Sequence, residues 1–272
     1  MPAAAWLGGK RLLADLIAER LALIPHKTYA EPFIGMGGVF FRRPWRSRAE
    51  VINDVNRDLV TLFRVLQRHA VAFTEMLRWQ LSSRAEFERL QKSDPSTLTD
   101  MERAARFLYL QRTAFGGKPV AQSFGVSPQE GSSFDVARLV PLLTDLHERL
   151  SSVTIECLGY SAFISRYDRA ETLFYLDPPY WGCEGDYGKA IFDRTDFQSL
   201  ATQLAGIAGK FVLSINDVPE IRELFKAFRF EEVKTDRPCC RQRKWLASCG
   251  ATARWISPVH TGMPFTSFVV PM

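Results

Sequence analysis

Thr172-Leu173-Phe174-Tyr175-Leu176-Asp177-Pro178-Pro179-Tyr180 is the stretch on which the fold of this chain turns. Leu173–Leu176 form a short apolar run, the pattern of a strand covered on both faces. Two successive prolines then remove two backbone donors, so the chain cannot continue as a central strand and must leave the sheet in a rigid loop. That loop sits at the carboxyl end of a strand, where ligands of open α/β sheets bind. A carboxylate, a proline-flanked carbonyl and an aromatic ring are thereby grouped. Asp177 and the Pro178 carbonyl can accept the two N–H bonds of an amino group on a flat base, and Tyr180 can stack on its ring.

Outward from this stretch, strand-like and helical patterns alternate. Val153-Thr154-Ile155 precedes it, and Phe211-Val212-Leu213-Ser214-Ile215 follows, flanked by helical segments Phe197–Ile207 and Glu220–Phe228. Near the N-terminus an amphipathic helix from Leu12 to Ile24 is stopped by Pro25, short runs occur at Thr28-Tyr29-Ala30 and Val51-Ile52, and a second helix carries Leu59, Leu62, Phe63 and Leu66. This is the βαβ grammar of a parallel sheet. From about Val71 to Leu150 it gives way to helices rich in Arg, Glu and Leu, broken by Ser93-Asp94-Pro95-Ser96 and by a glycine-containing loop from Gly116 to Ser133. The expected division is therefore an α/β domain in two parts, 1–70 and 151–235, around a helical insert at 71–150. A tail at 236–272 holds three of the five cysteines and little strand alternation, so either it has replaced the closing strands or it is a divergent but folded terminus.

Two further constellations bear on chemistry. Glu31-Pro32-Phe33-Ile34-Gly35-Met36-Gly37-Gly38 follows the first short strand, and its glycines let the backbone turn tightly and approach a ligand. The spacing is neither the dinucleotide fingerprint nor a phosphate-binding loop ending in Lys-Ser/Thr, so a nucleoside cofactor fits better than nicotinamide or ATP. A turn of purely structural use would look the same. Asn53-Asp54-Val55-Asn56 ends the second strand, and Asp54 is the candidate to accept bonds from ribose hydroxyls, with a helix cap as the competing role.

Composition sets the outer bounds. At 272 residues, 46% hydrophobic and 24% charged, the chain is globular and long enough for a full core, which excludes extended disorder. No apolar run approaches a bilayer span and no secretory leader is readable at Met1-Pro2-Ala3-Ala4-Ala5, so no membrane is expected and the cytoplasm is. The net charge of +5 permits a polyanionic partner without demanding one. Five cysteines without a CxxC pair suit a reducing compartment, and Cys239, Cys240, Cys249 and His260 lack zinc spacing, so no metal is expected. Cys157 and Cys183 are read as structural.

Trp6-Leu7-Gly8-Gly9-Lys10, Glu31–Gly38, Asn53–Asn56 and Asp177–Tyr180, in this order, resemble the Dam-type DNA adenine methylases, the D12 class of N6-adenine methyltransferases found in prophages and restriction-modification loci. Thr113-Ala114-Phe115-Gly116-Gly117-Lys118, Phe124-Gly125-Val126-Ser127 and Phe211–Asp217 add support, and the likeness extends to Lys234. The resemblance implies an α/β fold, a Rossmann-like class I S-adenosylmethionine-dependent methyltransferase sheet with an inserted helical target-recognition domain. It implies that Trp6, Gly9 and Lys10 close over S-adenosylmethionine, that Glu31, Pro32, Phe33, Gly35 and Gly37 line its pocket, and that Asp54 holds its ribose. Asp177 would serve both the methionine moiety and the target amine, within a catalytic set of Asp177, Pro178, Pro179 and Tyr180. Family members often carry an acidic-aromatic pair before the catalytic strand; here the place reads Gly159-Tyr160, so Tyr160 keeps the ring beside the cofactor adenine and the acid is lost.

The adenine amino nitrogen is a poor nucleophile because its lone pair is delocalised, and acceptors on both N–H bonds would localise it for direct in-line transfer. Double-stranded DNA is the expected partner, met by the insert through Arg112, Gly117 and Lys118, with a solvated polar surface as the competing role of Arg112 and Lys118, whereas Arg103 and Arg106 are read as outward-facing helix charges. A monomer is expected, with room for a cognate restriction endonuclease. N4-cytosine methylation and a catalytically impaired DNA- or cofactor-binding homologue are the competing readings.

Overall fold

The computed structural model describes residues 1–6, 10, 13–115, 122–125, 132–187, 191–234 and 252–257. The chain runs α1 (Ala14–Ala22), β1 (Thr28–Glu31), β2 (Ala49–Asn53), α2 (Arg57–Leu77), α3 (Arg84–Lys92), α4 (Asp100–Thr113), α5 (Val136–Leu150), β3 (Thr154–Glu156), α6 (Tyr160–Tyr167), β4 (Thr172–Leu176), α7 (Arg194–Ala205), β5 (Lys210–Asn216), α8 (Pro219–Leu224), β6 (Arg229–Lys234) and β7 (Thr252–Ser257). The strands form one sheet in the order β3-β2-β1-β4-β5-β7-β6. β1 to β5 are mutually parallel, with Thr28 opposite both Ala49 and Thr172, and Leu176 opposite Leu213. Strand order reverses between β1 and β4, so the crevice at their carboxyl ends is the topological switch point of the sheet.

β4 explains why a continuous apolar run was needed. Leu173 and Tyr175 point into one core, with Tyr29 and Ile52 of the sheet, Ile17 of α1, Leu66 of α2, Leu108 of α4 and Leu143 of α5. Phe174 and Leu176 point into the other, with Phe163 of α6, Leu200 of α7 and Ile221 of α8. Side chains alternate across a strand, so a strand packed on both faces is apolar wherever a polar side chain would find no partner. Helices thus cover both faces of the sheet.

The boundary expected at residue 70 falls inside α2, one residue after a kink at His69, where φ is −134° and ψ 28°. Phe73 and Leu77, beyond the kink, belong to the same core as Tyr29 and Leu173. Arg103 and Arg106 are not outward-facing charges. Arg103 of α4 pairs with Asp58 at the start of α2, and the Arg106 Nε donates to the Leu90 carbonyl of α3 at 2.7 Å. The face of α4 that packs on its neighbours is thus laced by charge as well as by apolar contact.

The closing strands are present, which excludes their replacement and favours the other reading of the tail, a divergent but folded terminus. β6 lies at the edge, and Thr252–Ser257, inside 236–272, enters antiparallel between β5 and β6, with Ala253 opposite Asn216 and Val233. The remainder of the tail, including Cys239, Cys240, Cys249 and His260, lies outside the described residues. Among the described residues no helix is long and apolar enough to cross a membrane, and no group of three or more His, Cys, Asp or Glu is placed to hold a metal.

Candidate active site

The loop after β1 is held by the end of β2. Gly35 and Gly37 have φ of +50° and +72°, and a Cβ on Gly35 would lie 2.7 Å from the Trp6 Nε1, one on Gly37 2.4 Å from the Phe41 ring. Only glycine satisfies both the dihedral and the space. The Gly35 N–H donates to the Asp54 Oδ2 at 3.0 Å, while the Asn56 N–H donates to the Asp54 Oδ1 at 2.8 Å. The helix cap belongs to Asn56, whose side chain accepts from the N–H groups of Asp58 and Leu59. Asp54 is therefore released from capping and faces the crevice. Burial pushes its carboxyl up to about 6 against the pull of the Asn56, Gly35 and Val55 amides. Asn53, 1% exposed, donates to the Pro32 and Leu158 carbonyls at 2.9 Å each and accepts from the Leu158 N–H at 2.8 Å. One side chain thus ties together the ends of β1, β2 and β3.

Phe33 and Tyr160 stack with centroids 5.5 Å apart, and Phe192 meets the Phe33 ring edge-on at 5.9 Å. The Tyr160 hydroxyl donates to the Asp196 Oδ1 at 2.9 Å. These rings form an apolar wall of the kind that receives a flat heterocycle.

Across the crevice, Asp177 leaves β4. The Lys10 ammonium and the Ser214 hydroxyl both donate to its Oδ1, the latter at 3.1 Å, and the Tyr175 hydroxyl lies 3.0 Å from the Ser214 Oγ. Lys10 also stands 4.6 Å from the centre of the Tyr180 ring. Burial opposes the charge of Lys10, but the Asp177 carboxylate and the Tyr180 hydroxyl more than offset it and raise its pKa, so Lys10 is a cation. Burial pushes the Asp177 carboxyl up, and Lys10 and Ser214 hold it back. Glu31, 2% exposed, is pushed up to about 8 by burial, against a hydrogen bond from the Tyr29 hydroxyl and the charge of Arg43.

A cavity of about 450 Å³ opens between these elements, lined by Trp6, Lys10, Glu31, Pro32, Phe33 and Gly35 on one side. Asp54, Tyr160, Asp177 and Pro179 also line it. Pro178, Tyr180 and Gly37 adjoin those residues in sequence without lining the cavity. Gly9, Gly117 and Lys118 lie outside the described residues. Arg112 also borders the cavity, and its guanidinium donates to the Ala3 carbonyl at 2.6 Å and the Ser133 carbonyl at 2.9 Å. Gln111 beside it donates to the Ala5 carbonyl at 2.8 Å, so the end of α4 pins residues 3–5, of which Ala4 and Ala5 line the cavity.

Four contributors escaped the sequence reading. Phe192 follows the prolines by more than ten positions, and Asp196 acts only through Tyr160. Ser214 and Asn216 are polar residues in a strand that reads as apolar. Asn216, 1% exposed, accepts from the Trp181 N–H at 2.9 Å and donates to the Trp181 carbonyl at 3.0 Å. A buried polar side chain in a parallel strand was the available signal, because it must find partners beyond the strand end.

The crevice combines a glycine cradle, a carboxylate, an aromatic wall and an acceptor loop. This geometry can hold a nucleoside at one end and an amine at the other. The chain is 23% identical over 231 residues to the type II methyltransferase M.CviBI of Paramecium bursaria Chlorella virus NC1A, covering 84% of this chain and 87% of that one. It is 26% identical over 256 residues to the type II methyltransferase M1.LlaDCHI of Lactococcus lactis subsp. cremoris, covering 87% and 88%. It is 25% identical over 245 residues to the DNA N-6-adenine-methyltransferase of Escherichia phage P1, covering 83% of this chain and 31% of the phage protein. The model of the D12 class N6 adenine-specific DNA methyltransferases matches residues 6–238, which include the glycine cradle, Asp54 and the Asp-Pro-Pro-Tyr loop. The chain belongs to that family, and it is a DNA methyltransferase specific for adenine.

Proposed function

We propose that this enzyme binds S-adenosylmethionine in the cavity between β1 and β4 and methylates the N6 amine of an adenine flipped out of double-stranded DNA. The observation that carries the reading is the convergence of the glycine cradle, Asp54, the Phe33–Tyr160 wall and Asp177 on one cavity. The residues fit the group. Gly35 lines the cavity and, with Gly37, lets the loop turn against Trp6 and Phe41; Asp54 offers acceptors to ribose hydroxyls, and the aromatic wall takes the adenine ring. Trp6, Lys10, Glu31 and Pro32 also line the cavity, and Gly9 is the further residue proposed to close over the cofactor. S-adenosylmethionine supplies the electrophilic methyl group.

The protein's own contribution is orientation. Lys10 and Ser214 hold Asp177 by Oδ1, which assigns Oδ2 to one N–H of the target amine. The Pro178 carbonyl takes the other N–H, Pro179 stiffens the turn, and Tyr180 stacks on the extruded ring. The nitrogen lone pair is then localised toward the methyl donor without a covalent intermediate. Base extrusion costs a few kcal/mol, which the stacking offsets.

Target recognition falls to the helical segment 71–150, with Gly117 and Lys118 meeting the DNA. Arg112, with two bonds to carbonyls, acts by propping residues 3–5 rather than by seeking phosphate. The enzyme works as a monomer in the cytoplasm. A cognate restriction endonuclease fits the type II methyltransferase names of its relatives.

Plasmid from cells making the protein is digested to nucleosides and analysed by mass spectrometry, with cleavage by adenine-methylation-sensitive nucleases in parallel. N6-methyladenine is expected, lost in the Asp177→Ala variant by ~10²-fold or more in turnover. N4-methylcytosine, or no methylated base, would overturn the reading.

A further inference from the structure

Two consecutive prolines give the catalytic loop rigidity but deprive it of anchors. Neither Pro178 nor Pro179 has an N–H, so the stretch cannot be tied to a neighbouring strand by a backbone ladder. The chain then turns at once: the Cys183 N–H donates to the Tyr180 carbonyl at 2.9 Å, with Gly182 at φ +86° in the third position of the turn. Something else must fix where this turn sits relative to Asp177.

We propose that β5 supplies two positioning residues, Ser214 and Asn216, which hold the Asp177–Tyr180 loop at its two ends and so set the distance between the amine acceptors and the stacking ring. This rests on the reading of Asp177 and Tyr180 given above. Ser214 and Asn216 are two apart on one strand and therefore share a face. Ser214 bonds the carboxylate that opens the loop. Asn216 bonds both the N–H and the carbonyl of Trp181, the residue directly after Tyr180. An amide is the side chain that offers a donor and an acceptor side by side, as this peptide unit requires. Ser214 is 0% and Asn216 1% exposed, so neither can exchange its partner for bulk water.

The two residues act on different parts of the reaction and leave different signatures. Asn216→Asp has nearly the same shape but sets a carboxylate oxygen against the Trp181 carbonyl, so the turn and Tyr180 shift, while the glycine loop after β1, Asp54 and the Phe33–Tyr160 wall, which line most of the cofactor cavity, stay. Ser214→Ala removes a donor to the ionised Asp177, which favours the protonated form of that carboxyl and moves the acidic limb of activity to higher pH. Ser214→Thr keeps a hydroxyl and restores the limb.

The test is tritium transfer from labelled S-adenosylmethionine to mixed-sequence plasmid DNA lacking adenine methylation, with affinity for S-adenosylhomocysteine by calorimetry and thermal midpoints for every variant. For Asn216→Asp, kcat falls ~10- to 100-fold, as for a misplaced reacting geometry, while product affinity stays within about twofold of wild type. For Ser214→Ala, the acidic limb of kcat moves up in pH, and in Asn216→Asp it does not. A wild-type protein that transfers no label to DNA overturns the functional reading and this inference with it. An active wild type with Asn216→Asp of undiminished kcat, with equal losses in kcat and product affinity, or with an unmoved limb in Ser214→Ala, overturns this inference alone.

Discussion

Glu31 shows what one buried carboxyl does to the stability of the cofactor-free enzyme. Its pKa of about 8 lies above the 4.5 of a free glutamate, because burial disfavours the charge more than the Tyr29 hydroxyl and Arg43 favour it. Between those values the folded chain keeps a proton that the unfolded chain gives up, so unfolding free energy falls as pH rises through this window. Glu31→Gln should therefore leave stability near wild type at pH 5 and raise it at pH 8 by on the order of 1–3 kcal/mol, read from urea titrations at both values. An equal effect at both would remove the buried-charge argument. Asp54→Ala should weaken S-adenosylhomocysteine binding by ~10-fold or more in calorimetry, since it loses the ribose acceptor and frees the Gly35 amide that it holds at 3.0 Å. Unchanged affinity would end the ribose assignment. Tyr180→Phe should keep most activity, whereas Tyr180→Ala should lose roughly 1–3 kcal/mol in kcat/KM with the stacking face. At this scale the sequence pointed to the residues whose chemistry is conspicuous in a loop, Asp54 and Asp177 among them. It did not point to Ser214 or Asn216, because a hydroxyl and an amide inside a strand announce only that they need partners, not which loop provides them.

Among elements, β4 was read at its observed bounds, and for a physical reason: both of its faces are buried, so Thr172–Leu176 carries an uninterrupted pattern between a turn and two prolines. β6 was missed because Arg229-Phe230-Glu231-Glu232-Val233-Lys234 has a charged pair where alternation calls for an apolar residue. β7 was missed because Trp255-Ile256 breaks the period of two and cysteine-rich sequence precedes it. Helical spacing tells that Arg103 and Arg106 share a face, but not that Asp58 of another helix faces them. Their side chains are 19% and 12% exposed, and that of Asp58 20%. Asp58→Ala would leave two partly buried guanidinium groups without it, so unfolding free energy should drop by about 1–2 kcal/mol, less than for a fully buried pair. Asp135→Ala, removing a partner of the 88% exposed Arg138, should cost Asp135's helix cap but no ion-pair energy, so Asp135→Asn should be near neutral. A loss for Asp135→Asn as large as for Asp58→Ala would refute the distinction.

For the molecule as a whole, one core runs from the sheet through α2 to α4 and α5, although the sequence pattern changes at residue 71. Hydrophobic spacing reports the type of an element but not whether its apolar face meets the sheet or another helix, which is why the helical stretch read as a unit apart. Scanning calorimetry should accordingly give a single transition, and a separate one for 71–150 would contradict the shared core. The placement of β7 also governs the order of events at the ribosome. β6 is synthesised before β7, yet β7 lies between β5 and β6. A nascent chain that has already made Ser214, Asn216 and β6 must keep a lane open beside β5 until residue 257 has emerged. During that interval the backbone of β5 is an unpaired edge, available to β6 in the wrong register or to another chain. The strand that braces the catalytic loop is thus among the last to be flanked, and chains interrupted between residues 234 and 252 should collect as aggregate rather than as a smaller, weaker enzyme.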